Sequence, residues 1–168
     1  MIRSRAARHR ARELLKMVGI KNPPVDVNNV AATLGFTVLQ FAFAETTSGI
    51  TFIEGNVKSI GVNQYHAPTR QRFSVAHELG HFLSGHESYD NCATHVEDRP
   101  IWLDPQNRQE TEANEFAAEL LMPEQFLKLD VAEHGLNASY LAKRYEVSEQ
   151  AMWIQLIDLR LASQYEKT

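Results

Sequence analysis

Two histidines four residues apart, with a glutamate beside the first, stand at His77-Glu78-Leu79-Gly80-His81. On a helix, four residues turn the chain by about 400°. The two imidazoles then point the same way and can share one metal ion, while Glu78 points aside toward a metal-bound water. These are the parts a zinc hydrolase needs. The pattern is short, and a shuffled chain of this composition would contain it with a probability of roughly 0.02, so its surroundings decide. Phe73, Ala76, Leu79, Gly80 and Leu83 recur at three- and four-residue spacing and lay an apolar stripe beside the histidines. Pro68 and Thr69 suit a helix start, with Thr69 as its N-cap. The competing reading is a buried helix whose histidines are merely hydrogen-bonded.

A hydrolytic zinc needs a third protein ligand and one open position for water. His86 would extend the pattern, but five residues turn it about 140° away from His81 on a continuing helix. It is a poor ligand and is expected at the cleft rim or the helix end. The longer motif, with glycine three and histidine six residues after the second histidine, is absent, because Ser84 and Glu87 occupy those places. The better source is the segment from Glu110 to Pro123, which reads as a helix stopped by proline. Its residues Ala113, Phe116, Ala117, Leu120 and Leu121 form one apolar stripe. At about 100° per residue, Glu110 falls within that stripe, Glu112 lies at its edge and Glu115 points roughly opposite. Glu110 is therefore the carboxylate best placed to turn inward, and Asn114, one turn later, could hydrogen-bond a zinc-bound histidine. Glu115 and Glu119 fit a solvated outer face.

Arg72-Phe73-Ser74-Val75-Ala76-His77-Glu78-Leu79-Gly80-His81, followed by Glu110-x-x-Ala113-Asn114-x-Phe116-Ala117-Ala118-x-Leu120-Leu121-Met122-Pro123, resembles the ImmA/IrrE family of zinc metallopeptidases. Ile60-Gly61-Val62-Asn63, and Pro24-Val25-Asp26-Val27 leading to Leu34-Gly35, are also similar to that family, so the resemblance spans residues 10 to 161. It implies a gluzincin-like site in which His77, His81 and Glu110 bind Zn²⁺ and Glu78 is the catalytic base. Glu112 also stands in a family-like position just before Ala113-Asn114, and remains the alternative third ligand; the choice rests on the ExxAN spacing and the stripe.

With 168 residues, of which 43% are apolar, the chain can bury one core. A lone cysteine, Cys92, makes no internal disulfide and reads as a bystander. No run of eighteen apolar residues occurs and the N-terminus lacks the apolar segment of a secretory signal, so the expectation is a soluble, cytoplasmic protein without membrane contact. Residues 1 to 16 carry Arg3, Arg5, Arg8, Arg10, Arg12 and Lys16 against Glu13 alone, in a chain of net charge −4. Such a helix could touch nucleic acid, but Ala7, Ala11, Leu14, Leu15 and Val18 fit an ordinary amphipathic helix with its arginines in water.

Periodicity and breakers predict helices near 4–18 and 27–34, then β-rich stretches near 36–43, 49–54 and 57–63. The zinc helix, an irregular loop, the ligand helix and further helices follow. The expected fold class is α+β, a small twisted β-sheet packed over the HExxH helix with a helical C-terminal region resembling helix-turn-helix. A zincin-like metallopeptidase domain with its N-terminal helix is expected over residues 1–135, and a helical extension packed on it over 136–168. The 57–63 stretch is the candidate edge strand for an extended peptide. The loop from Glu87 to Asn107 is long enough for a cleft wall, where Tyr89, His95 and Arg99 could steady an oxyanion.

The segment from Leu141 to Ile154 resembles the first two helices of a helix-turn-helix, with Ser148 capping the second. Residues 139–168 balance four basic against four acidic side chains, and the second helix opens on Glu149 and exposes Trp153. DNA readers carry a basic stripe, so direct DNA binding is disfavoured against a protein-binding or core-support role.

The resemblance implies a zinc metalloendopeptidase that cuts a specific regulatory protein, commonly a helix-turn-helix repressor, and thereby controls gene expression. It also leaves open a toxin–antitoxin-like partner. The alternative is a non-proteolytic regulatory or antitoxin-like binding protein whose metal site is structural, although such a site has no need of Glu78.

Overall fold

The computed structural model describes residues 5–86 and 108–162. Helix α1 (Arg5–Val18) buries Ala7, Ala11, Leu14 and Leu15 on one face. Helix α2 (Val27–Thr33) starts at Asp26, whose side chain accepts the Asn29 N–H at 3.0 Å. Strands β1 (Phe36–Phe41), β2 (Gly49–Glu54) and β3 (Val57–Asn63) then form a sheet of order β1-β3-β2. In it β3 runs parallel to β1, with Val38 opposite Ile60, and antiparallel to β2, with Thr51 opposite Ile60. The architecture is α+β.

The strand order corrects one expectation. The 57–63 stretch is not an edge strand; β3 lies in the middle, with β1 and β2 at the edges among the described residues. The second half of β3, Ile60 to Asn63, is buried throughout, the pattern of a strand covered on both faces. The inner face of the sheet packs on α3 (Pro68–Ser84). The start of α3 also differs from expectation. Pro68 already occupies the first turn, so Ala67 rather than Thr69 is the N-cap and no side chain caps the helix. Pro tolerates that position because its missing N–H would have no helical partner there.

Helix α4 (Arg108–Leu121) packs along α3 on one side and along α1 on another. This second neighbour overturns the solvated face assigned to Glu115 and Glu119. Glu119 is fully buried and Glu115 is buried. Glu119 accepts hydrogen bonds from Arg8 at 3.1 Å and Arg12 at 2.7 Å, while Arg8 also lies 3.9 Å from Glu115 and 3.6 Å from Asp158. The arginines of α1 expected in water thus include Arg8, which is only 6% exposed. A buried charge is tolerable when paired and hydrogen-bonded.

Helices α5 (Glu124–His134), α6 (Ala138–Tyr145) and α7 (Glu149–Asp158) complete the described chain. Ser148 caps α7 by accepting the Ala151 N–H. The C-terminal helices are tied to the rest by polar bonds within the core. Asp130 on α5 accepts from Arg144 and Tyr145 at 2.8 Å each, and Gln155 Nε2 donates to the Met122 carbonyl at 3.0 Å. Arg72 on α3 donates to the carbonyls of Val25 and Glu146. Among the described residues no helix is long and apolar enough to cross a membrane.

Candidate metal centre

Helix α3 carries His77, Glu78 and His81 through the interior, with every residue from Phe73 to His81 buried. One turn separates the two histidines, and their Nε2 atoms stand 3.0 Å apart. Glu110 reaches them from the first turn of α4, placing Oε2 3.1 Å from His77 Nε2 and Oε1 3.2 Å from His81 Nε2. The three side chains form a group of potential metal ligands.

Asn114 lies one turn beyond Glu110 and sets its Oδ1 2.8 Å from His77 Nδ1. A carbonyl oxygen only accepts, so the His77 proton sits on Nδ1 and the lone pair of Nε2 faces His81 and Glu110. Bare nitrogens and a carboxylate turned toward one point repel each other unless a cation lies between them. Donor atoms around a tetrahedral zinc at 2.0–2.1 Å would be about 3.3 Å apart, close to the 3.0 Å between the two Nε2 atoms and the 3.1–3.2 Å from each to one oxygen of Glu110. The residues present therefore fit a zinc ion.

Electrostatics favour positive charge at the same point. Burial opposes charge on His77, but Glu110 and Glu78 outweigh it and raise its pKa. Burial likewise works against an ionised Glu110, yet the adjoining His77 and His81 rings prevail and hold the carboxyl well below the usual carboxylate range.

Glu78 has a different environment. It is buried and approaches β2, where Thr51 Oγ1 donates to its Oε2 at 2.7 Å. Burial raises its pKa, with His77 and the Thr51 hydrogen bond acting against the rise. A carboxylate lifted above its ordinary value is suited to proton transfer near neutral pH. Gly49, also on β2, lies close to α3, since a Cβ there would stand a tight 3.3 Å from Ser74 Cβ.

Of the residues singled out in the sequence, His77, Glu78, His81, Glu110 and Asn114 come together. Glu112 does not join the ligand group. It pairs with His86 at 3.4 Å and with Arg108 at 3.1 Å. His86 is at the helix end as expected, but it is buried rather than at a rim, with Nδ1 2.9 Å from His81 Nδ1. Tyr89, Cys92, His95 and Arg99 lie outside the described residues. Sequence reasoning missed Thr51 and Asn63. Asn63 is fully buried and donates to the carbonyls of Phe43, Ala44 and Thr47, which shapes the loop leading into β2. Its place at the end of a buried apolar strand was the available signal, because a polar side chain there must find partners.

Comparison with protein families finds a match over residues 31–156 to the family described as Peptidase_M78, the IrrE N-terminal-like domain. Among solved structures, the chain is similar to a Mycobacterium tuberculosis transcriptional regulator, with a TM-score of 0.64 and 16% identity, covering 89% of this chain. It spans 46% of the length of that regulator, and at this identity the likeness is one of fold. No curated protein matches.

Proposed function

The chain belongs to the IrrE N-terminal-like family of peptidases, and from that premise we propose that it is a zinc-dependent metallopeptidase that hydrolyses a peptide bond in one regulatory protein, a helix-turn-helix repressor, and so controls gene expression. The observation that carries this reading is the convergence of His77, His81 and Glu110 within 3.0–3.2 Å beside a buried Glu78. A structural metal site has no use for such a carboxylate.

Zinc, when bound, acts as a Lewis acid and lowers the pKa of water toward about 7. His77, His81 and Glu110 would hold it, with Asn114 orienting His77. Glu78 takes a proton from the attacking water and returns it to the leaving amine. Thr51 occupies Oε2 of Glu78, so Oε1 is the oxygen left to carry that proton. Among the described residues β2 is an edge strand, and an extended peptide adding there through backbone hydrogen bonds would run beside the strand that touches Glu78. A transcriptional setting is supported by the fold shared with the mycobacterial regulator. On α7, the acidic start at Glu149 and the half-exposed Trp153 suit a protein-facing surface better than a DNA reader.

The test is a trap followed by cleavage. Glu78→Gln protein, loaded with zinc, is used to capture partners from the cells that make this protein. Zinc-loaded wild type is expected to cut a captured regulator at one bond, and the reaction should stop with a chelator. Captured regulators that stay intact under wild-type protein would contradict the peptidase reading in favour of a binding protein.

A further inference from the structure

Resting on the reading of His77, His81 and Glu110 as a zinc site, we propose that His86 and Glu112 form a positioning pair that presents His81 to the metal through Nε2. Helix α3 ends at Ser84, and Gly85 takes the left-handed conformation with φ 66°, which glycine adopts without a Cβ penalty. The chain folds back there, and the His86 N–H donates to the His81 carbonyl at 3.2 Å. The two rings meet with centroids 5.0 Å apart at 72° and their Nδ1 atoms 2.9 Å apart.

Only one of those Nδ1 atoms can carry the shared proton. His81 Nε2 faces His77 and Glu110, so its lone pair belongs on that side and its proton on Nδ1. His86 Nδ1 must then accept, which leaves the His86 proton on Nε2, 3.4 Å from Glu112 Oε2. Glu112 Oε1 in turn receives Arg108 Nε at 3.1 Å. His81 donates to His86 and His86 to Glu112, where Arg108 donates from the other side, and the row leaves the His81 Nε2 lone pair free. His77 obtains the same service from Asn114. Glu112, the rival carboxylate of α4, thus acts one step behind the ligands, through His86. Outer partners of this kind typically change metal affinity roughly 10- to 100-fold.

The test compares His86→Ala with His86→Asn in the zinc-loaded protein. The side-chain oxygen of asparagine can take the place of His86 Nδ1, keeping the acceptor while losing the arm to Glu112. His86→Ala is expected to bind zinc roughly 10- to 100-fold more weakly in chelator competition and to lose the exchange-protected Nδ1–H proton of His81 in NMR spectra. His86→Asn should restore most of both. Equal zinc affinity in His86→Ala and wild type, or no rescue by asparagine, would overturn the pair, since mere packing would not respond to an acceptor. Should His86→Ala fail to fold, Glu112→Ala serves instead, because it leaves His86 in place. A several-fold weaker affinity supports the pair and an unchanged one overturns it. A wild type that binds no zinc, or a Glu110→Ala variant that keeps it, refutes the zinc site itself, whereas the His86 comparison refutes only the pair.

Discussion

Gly80 lies directly against the backbone of Ala113. A methyl group on Gly80 would stand 3.0 Å from both the Cα and the carbonyl oxygen of Ala113 and 3.1 Å from the Phe116 ring. This contact sets how closely α3 and α4 approach, and Glu110 lies one turn before Ala113. The glycine inside the histidine motif therefore governs whether the third carboxylate reaches the two imidazoles.

Gly80→Ala separates these effects. Alanine improves helix propensity by about 1 kcal/mol, while forcing a methyl against packed backbone costs about 1–3 kcal/mol. The net loss of stability is expected to be small, at most about 2 kcal/mol on those figures. Zinc affinity should still fall about tenfold or more, because small misplacements of ligands are costly. Chelator competition on the folded variant reads this, and wild-type affinity would contradict the role given to the contact.

Thr51→Val removes the hydroxyl that donates to Glu78 while keeping the shape of the side chain. A hydrogen bond to a charged group is worth about 1.5–3 kcal/mol, so kcat/KM should drop about 10- to 100-fold with zinc content unchanged. Steady-state kinetics on the captured substrate give the answer, and full activity would show that Glu78 needs no such support.

Glu119→Ala leaves Arg8 and Arg12 without their shared acceptor and removes the carboxylate that accepts the Glu124 N–H. Breaking a buried ion pair by deleting one partner costs about 3–5 kcal/mol. Arg8 keeps Glu115, Asp158 and Gln155, and the part-exposed Arg12 keeps Glu124, so urea denaturation of zinc-loaded protein should show a smaller loss, about 1–3 kcal/mol. A loss below about 1 kcal/mol would mean that α1 is held by its apolar face alone.

Asp130 makes stability depend on acid. Its burial favours the neutral form, but the hydrogen bonds from Arg144 and Tyr145 outweigh it and lower the pKa below 3.8. A depressed carboxylate contributes stability that is present above its unfolded value and fades as pH falls through the folded one. Asp130→Asn should therefore be less stable than wild type at pH 7 by about 1–3 kcal/mol. The gap should close below the ordinary aspartate pKa, and denaturation midpoints at the two pH values would show it. A gap that persists in acid would point to packing instead of charge.

The convergence of His77, His81 and Glu110 was legible because helical spacing aims the two histidines together, while the stripe of α4 and the ExxAN spacing favour Glu110. The strand limits of β2 and β3 were legible from turns and apolar runs. Strand order was harder, since β3 pairs with β1 across the intervening β2, and such long-range pairing leaves no local trace. Buried acids were misassigned because α4 has two packed sides, one on α3 and one on α1. Arg8 and Arg12 stand four apart, as do Glu115 and Glu119, and that matched spacing of opposite charges was the overlooked signal. His86 lies at the helix end as expected, but the turn at Gly85 folds its ring into the interior, which spacing on a continuing helix does not show.

The most direct measurement is zinc content per chain in wild type, Glu78→Gln and Glu110→Ala, purified alike and read by elemental analysis. One equivalent is expected in the first two and essentially none in the third, because Glu78 moves a proton while Glu110 holds the metal. A full equivalent of zinc in Glu110→Ala, or its loss from Glu78→Gln, would contradict that division of labour.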